Sequence, residues 1–221
     1  MNTLQILDQS HIEAAESYSD PFEFRIIREP IKPEFRNKLI DRFPMSGFEE
    51  EQLEVGAERF HMHLRSLERA IALDPTHAES IDPVWDLLYQ DICSDVYRYA
   101  METIINEDLS GCNIQANLWR YDEDCFLSQH TDKIEKVATH LLYLNPTWQE
   151  AWGGCLHLHG ETDDRPTLRT IVPVIDNSVV LITSDKSWHS VAPVVEHGHH
   201  RKSLQIVFWR SSELRRQAAL R

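Results

Sequence analysis

Basic residues are in short supply in this chain: 22 Lys+Arg stand against 36 Asp+Glu, a formal net charge of −14. A nucleic-acid binder usually presents a basic face, so the balance argues against that class of partner. It suits a cationic small substrate, but net charge speaks mainly to solubility. No run approaches the ~18 consecutive apolar residues of a membrane span, so no membrane partner is expected. The opening Met1-Asn2-Thr3-Leu4-Gln5 lacks the basic stretch and apolar block of a secretory signal. Cysteine is scarce as well. Cys93, Cys112, Cys125 and Cys155 form no C-x-x-C pair and read as reduced, mostly buried thiols of a cytoplasmic protein. Internal repeats and low-complexity tracts are also missing.

What is present divides the chain by period. The 221 residues suffice for one domain with a substantial core. Residues 1–20 are polar and predict a helix with a loose start, and Phe22–Arg28 predicts a strand. Pro33 can open a helix through about Phe43. Between Phe48 and Leu73, the apolar residues Phe60, Leu64, Leu67 and Ile71 recur at spacings of four, three and four, which predicts a helix. Its acidic Glu49-Glu50-Glu51 would be a solvated helix start. Asp74 to Asp82 reads as a loop. Asp82-Pro83 supplies an N-cap and an N1 proline. The helix after it carries Trp85, Leu88, Ile92, Val96, Tyr99 and Ile104 on one stripe, suited to packing on a sheet.

After Ser110-Gly111 short runs rich in β-branched and aromatic residues take over: 114–119, 137–144, 155–159, 169–174, 179–183 and 203–209. Helices first and about eight short strands second indicate an α+β or helix-supported barrel fold.

The chemistry is concentrated in that second part. The pattern H-x-[D/E] occurs at His11, His77, His130 and His159. His11 lies in a polar segment, His77 follows the turn signal Asp74-Pro75, and His159 stands only 30 residues before His189. His130-Thr131-Asp132 ends a strand-like run and leaves 59 residues before His189, room for several strands. Two histidines and a carboxylate can occupy one face of an octahedral ferrous ion and leave three positions open. A structural zinc site is the rival use, but such sites are usually four-coordinate and Cys-rich. Arg201, 12 residues after His189, suits a carboxylate gripped by both arms of a guanidinium.

Taken in order, NLWRYDEDCFLSQHTD, VATHLLYLN, WGGCLHLHG, LITSDKSWHSV and RKSLQIVFW resemble the prolyl-4-hydroxylase-like branch of the Fe(II)/2-oxoglutarate oxygenases. The segments are similar to those of the HIF prolyl hydroxylases and their bacterial relatives, over roughly residues 114–210. The resemblance implies a double-stranded β-helix, or jelly roll, with N-terminal helices packed on its larger sheet. It implies one oxygenase domain over 1–221: mainly helical support and substrate-pocket residues over 1–110, the catalytic core over 111–210 and a tail over 211–221. It implies Fe(II) held by His130, Asp132 and His189, with 2-oxoglutarate and O2 as co-substrates. Arg201 and Tyr143 would meet the distal carboxylate of 2-oxoglutarate, and Thr139 would point the same way on its strand. Leu156 and Val191 match apolar residues of that pocket, Tyr121 matches a pocket tyrosine, and Ser203 adds a hydroxyl near Arg201.

Relatives that halogenate carry a small residue where this chain keeps Asp132, so hydroxylation is expected. Asn117 and Trp119 share a strand face with Tyr121 and are candidate substrate contacts. His157 and His159 read as structural or surface residues, and His197, His199 and His200 as part of a solvated turn. The expected substrate is a small molecule, plausibly a free amino acid, since no appended peptide-binding region is visible. A protein side chain such as prolyl, and a metal-binding jelly roll without turnover, are the alternatives. Oligomeric state is not legible.

Overall fold

Local hydrogen bonding explains the first departures from the sequence pattern in this computed structural model, which describes residues 3–56, 58–73, 76–77, 79–162 and 164–211. Asp8 caps α1 (Gln9–Glu13) by accepting from the amides of Ser10 and His11. Only Ile12 of that helix is buried, too little to extend it over the 1–20 segment. The chain turns instead into β1 (Glu16–Tyr18), which pairs with β2 (Phe24–Arg28). Pro33 opens α2 (Pro33–Asp41) as its fixed φ favours.

The helix expected over Phe48–Leu73 is a misreading. The segment forms β3 (Glu49–Leu53), β4 (Phe60–Ser66) and a short α3 (Leu67–Ile71). Phe60, Met62 and Leu64 also fit a period of two, alternating with His61, His63 and Arg65. Pairing of β4 with two other strands decides between the periods. The acidic Glu49-Glu50-Glu51 therefore starts a strand. Asp74, Pro75 and Ala78 of the expected loop lie outside the described residues, as do 212–221 of the expected tail.

Asp82 Oδ1 accepts from the Val84 amide at 2.9 Å at the entry to α4 (Val84–Cys93), whose N-cap position is held by Pro83 rather than by the expected Asp82. The long helix expected from there is broken at Ser94. Its extended backbone ends α4, and its hydroxyl accepts from Tyr97 N to start α5 (Asp95–Ile105). Asp91, buried in α4, accepts the amides of Gln5, Ile6 and Leu7 and ties the N-terminal segment to the helices.

The remaining strands are β5 (Cys112–Tyr121), β6 (Phe126–His130), β7 (Lys136–Tyr143), β8 (Leu156–His159), β9 (Thr167–Ile171), β10 (Asn177–Ile182), β11 (His189–Val191) and β12 (Arg201–Arg210). They join one antiparallel sheet in the order β1-β2-β10-β7-β12-β5-β4-β6-β11-β8-β9, with β3 added to β4. The sheet curls into a double-stranded β-helix. Strands β10, β7, β12 and β5 form the larger wall, β6, β11, β8 and β9 the smaller, and β4 links them. The expected jelly roll with helices on its larger sheet is the observed fold.

Parity organises the larger wall. Registers pair Arg201 with Tyr121, Ser203 with Tyr143, and Leu181 with Thr139, odd with odd, until a shift sets Trp209 opposite Lys136 at the start of β7. Even positions such as Leu118, Ala138, Leu142, Val180, Leu204 and Ile206 join Trp85, Leu88, Tyr97 and Met101 in the core under the helices. Odd positions such as Tyr121, Leu141, Tyr143, Val179 and Leu181 face a second core inside the barrel. His140 is an even position. It is fully buried, bonded through Nδ1 to Tyr97 Oη at 2.8 Å and through Nε2 to Ser178 Oγ at 2.9 Å. Burial pushes its pKa down to about 3.

All four cysteines are free thiols, three of them buried and Cys93 exposed. Among the described residues no helix is long and apolar enough to cross a membrane.

Candidate active site

Pairing of β6 with β11 sets His130 opposite His189, their ring centroids 4.3 Å apart. Each ring bonds through Nδ1 to a carbonyl two residues earlier, His130 to Ser128 O at 3.0 Å and His189 to Ser187 O at 2.9 Å. A carbonyl can only accept, so Nδ1 carries the proton and Nε2 keeps its lone pair for a metal. Burial pushes His189 down to about 4, which keeps the ring neutral, as a ligand must be.

Asp132 follows His130 on the loop into β7, and the ligand atoms of His130, Asp132 and His189 lie within 4.8 Å of one another. Its Oδ1 pairs with Lys136 Nζ, and its Oδ2 accepts from Thr139 Oγ1 at 2.9 Å. Burial pushes the Asp132 carboxyl up. The adjacent His189 and the charge and hydrogen bond of Lys136 outweigh that and leave it below its ordinary value.

Arg201, only 2% exposed, enters the barrel from the start of β12. Its Nη1 donates to Ser203 Oγ at 3.2 Å. Its guanidinium carbon lies 4.8 Å from the centre of the Tyr121 ring and 5.4 Å from that of Tyr143. Two buried polar atoms here have no hydrogen-bond partner, Arg201 Nε and Tyr143 Oη. Leaving such groups unpaired is costly, so a guanidinium that lines the cavity and a hydroxyl buried beside it fit a carboxylate ligand. Burial pushes both tyrosines up to about 12, and the hydroxyls therefore stay protonated as donors.

One pocket of about 190 Å³ is lined by His130, Asp132, His189, Arg201, Thr139, Tyr121, Leu156, Val191, Ser203 and Trp119, whereas Tyr143, fully buried beside Arg201, is not among its lining residues. Thr139 meets the pocket through Asp132. Tyr121 contributes its ring, while its hydroxyl donates to Met62 Sδ at 3.1 Å. Trp119 Nε1 donates to Gln205 Oε1 at 3.0 Å, and both residues line the pocket. Asn117 does not. It lies farther along β5, opposite Ser66 and Gln205, beside a separate surface depression.

Sequence reasoning missed Lys136, Met62 and Gln205. Gln205 was within reach, two residues beyond Ser203 on the same strand face. Lys136 had no signal, because its partner precedes the strand and the pairing depends on how the loop folds back.

A wider groove of about 1010 Å³ adjoins this pocket and shares Glu58, Leu127, His130 and Val191 with it. His157, His159, Arg165 and Trp188 line it. His159 is held by Ser190 Oγ at 2.8 Å, and the Arg165 guanidinium lies 3.7 Å from the Trp188 ring centre. His197 and His200 pair with Glu123 and Asp122, and His199 stacks on Trp152.

The ends of β8 depend on two glycines. Gly153 has φ +74°, and a Cβ there would stand 1.9 Å from Pro193 O. A Cβ on Gly154 would stand 3.4 Å from Arg201 Cδ. Only residues without a side chain allow β8 and the segment after β11 to approach so closely behind the arginine.

Fold and site together resemble those of non-haem oxygenases. Residues 116–209 match the family model of the 2OG-Fe(II) oxygenase superfamily. That match agrees with the resemblance read from the segments, and the fold is shared with a prolyl-4-hydroxylase structure. Over 112 residues, 49% of its length, it is 29% identical to a prolyl 3-hydroxylase of Xenopus laevis, and it spans about a fifth (22%) of that relative.

Two solved structures share the fold. A prolyl-4-hydroxylase of Pseudomonas putida superposes with a TM-score of 0.57 at 17% identity, covering 85% of this chain and 92% of the other. A prolyl hydroxylase of Trichoplax adhaerens, in complex with a hypoxia inducible factor oxygen degradation domain peptide fragment, gives 0.59 at 17% identity, covering 88% and 86%. The superfamily implies Fe(II), 2-oxoglutarate and O2 in general.

Proposed function

We propose that this chain is an Fe(II)- and 2-oxoglutarate-dependent hydroxylase acting on a side chain such as prolyl within a protein or peptide. The observation that carries the reaction class is the juxtaposition of two sites in one pocket. Two neutral imidazoles and a carboxylate meet at one end. A buried guanidinium with an unpaired Nε lies at the other, beside the buried Tyr143 hydroxyl, which is also unpaired. When bound, iron and 2-oxoglutarate supply oxidative decarboxylation to succinate and carbon dioxide, with one atom of O2 going to an unactivated C–H.

The residues divide the remaining work. His130, Asp132 and His189 hold the metal, their Nδ1 bonds fixing both rings. Lys136 and Thr139 orient Asp132. Arg201 and Tyr143 receive the distal carboxylate of 2-oxoglutarate, and Ser203 steadies the guanidinium. Leu156 and Val191 keep water from the oxo acid. Asp132 fills the position a halide would need, which favours hydroxylation over halogenation.

For the substrate, a peptide-borne residue has more support than a free amino acid. Several of the similar proteins are prolyl hydroxylases, one of them bound to a peptide. The groove beside the metal-ligand set is about 1010 Å³, far larger than a single amino acid requires. The test incubates the protein with Fe(II), 2-oxoglutarate and O2, offering proline-containing peptides and free amino acids side by side. Succinate release with gain of one oxygen on a peptide is the expected result. Oxygen gain on a free amino acid alone would restore the small-molecule reading. No succinate under any condition would leave a jelly roll without turnover.

A further inference from the structure

A second cluster of metal-ligating side chains lies outside the pocket, on the opposite face of β4. His61 and His63 flank Met62, so alternation points both rings away from the cavity that Met62 lines. Pairing brings a third group to them. His63 stands opposite Arg120 of β5, and His61 opposite Phe126 of β6. The turn joining β5 to β6 must therefore pass beside both histidines, and it carries Cys125. Ligand atoms of His61, His63 and Cys125 all lie within 4.8 Å of one another.

A second observation points to a ligand. Each histidine has a carboxylate on the same ring nitrogen: Glu50 Oε1 is 2.8 Å from His61 Nε2, and Asp122 Oδ2 is 3.2 Å from His63 Nε2. A carboxylate accepts the Nε2 proton and leaves Nδ1 with its lone pair, as in carboxylate–histidine–metal relays. Asp122 is itself bonded to His200 Nδ1 at 2.6 Å and to Arg120, so its position is fixed.

We infer that His61, His63 and Cys125 bind a zinc ion, with a water completing a tetrahedral shell. Two imidazoles and one thiolate are borderline-to-soft donors that suit Zn2+ better than the all-oxygen-and-nitrogen set in the barrel. Binding releases the thiol proton to solvent and involves no change of oxidation state. The ion would be structural. It would clamp β3, through Glu50, and β4 to the β5–β6 turn, and so fix the wall carrying Met62 against Tyr121 beneath Arg201.

Cobalt(II) reports the site directly, because His130, Asp132 and His189 offer no sulfur. The cobalt-loaded wild-type protein should show a thiolate-to-cobalt charge-transfer absorption. The band should persist in Cys93→Ser and vanish in Cys125→Ser and in His63→Gln. Zinc-loaded wild type should retain one more metal ion per chain than Cys125→Ser. Glu50→Gln should weaken zinc binding about 10- to 100-fold. A wild-type protein with no such band, or a band that survives Cys125→Ser and is lost in Cys93→Ser, would overturn the inference. The wild-type spectrum decides even if a variant fails to fold.

Discussion

Arg201 is the residue on which the proposed co-substrate recognition turns. A charge-assisted bond to a buried carboxylate contributes about 1.5–3 kcal/mol, so Arg201→Ala should raise the KM for 2-oxoglutarate roughly 10- to 150-fold. Iron affinity should stay within a few-fold, because none of the three metal ligands touches the guanidinium. Isothermal titration with each ligand separately would check the split, and equal losses for both would contradict it. His140 governs another property. Its folded pKa, about 3, lies below the ordinary value of 6.5, so the unfolded chain takes up the proton first. Stability is therefore intact above about pH 6.5. It falls at about 1.4 kcal/mol per pH unit as pH drops toward 3, and this contribution levels off below that. His140→Gln should flatten the acid limb of a urea-midpoint-against-pH curve, and an unchanged limb would refute the assignment. The metal and carboxylate groups were legible in the sequence because they sit in quotable segments. Lys136 was not, since a lysine four residues after an aspartate says nothing about a loop that folds back. Asn117 shared a strand face with Trp119 and Tyr121, but face alone does not tell how far along a strand a pocket extends.

Among the elements, β4 is the one the sequence misreported. Phe60, Leu64 and Leu67 satisfy a helical stripe, while Phe60, Met62 and Leu64 satisfy a strand, and only the neighbours β5 and β6 choose. The cost of that ambiguity was the grouping of His61 and His63, which share a face on a strand but not on a helix. Ser94 was equally hidden, since the apolar stripe runs across it unchanged and only its capping bond to Tyr97 divides the two helices. The strands after Ser110 were legible because their composition and turn signals agree. The entry to β8 gives the clearest test at this scale. Gly153→Ala puts a methyl where Pro193 O stands 1.9 Å away, at φ +74°. The backbone must shift, and a loss of about 2–4 kcal/mol in chemical denaturation is expected. A change within 0.5 kcal/mol would show that the approach is not tight.

At the scale of the molecule, odd and even positions of β5, β10, β12 and of β7 from Ala138 onward belong to different environments. Leu142→Ala and Leu204→Ala should each cost about 2–5 kcal/mol in stability and leave the KM for 2-oxoglutarate within a few-fold. Ser203→Ala should weaken co-substrate binding several-fold and cost about 1 kcal/mol or less. Denaturation and steady-state kinetics on the same preparations would check both. A stability loss without kinetic effect at Ser203, or the reverse at Leu204, would break the rule. This separation has an evolutionary consequence. Heritable change in heat tolerance and heritable change in chemistry draw on alternate letters of the same strands. A library selected for growth at higher temperature should accumulate substitutions at even positions, and one selected for altered co-substrate use at odd ones. Lineages can diverge along either course without reversing the other.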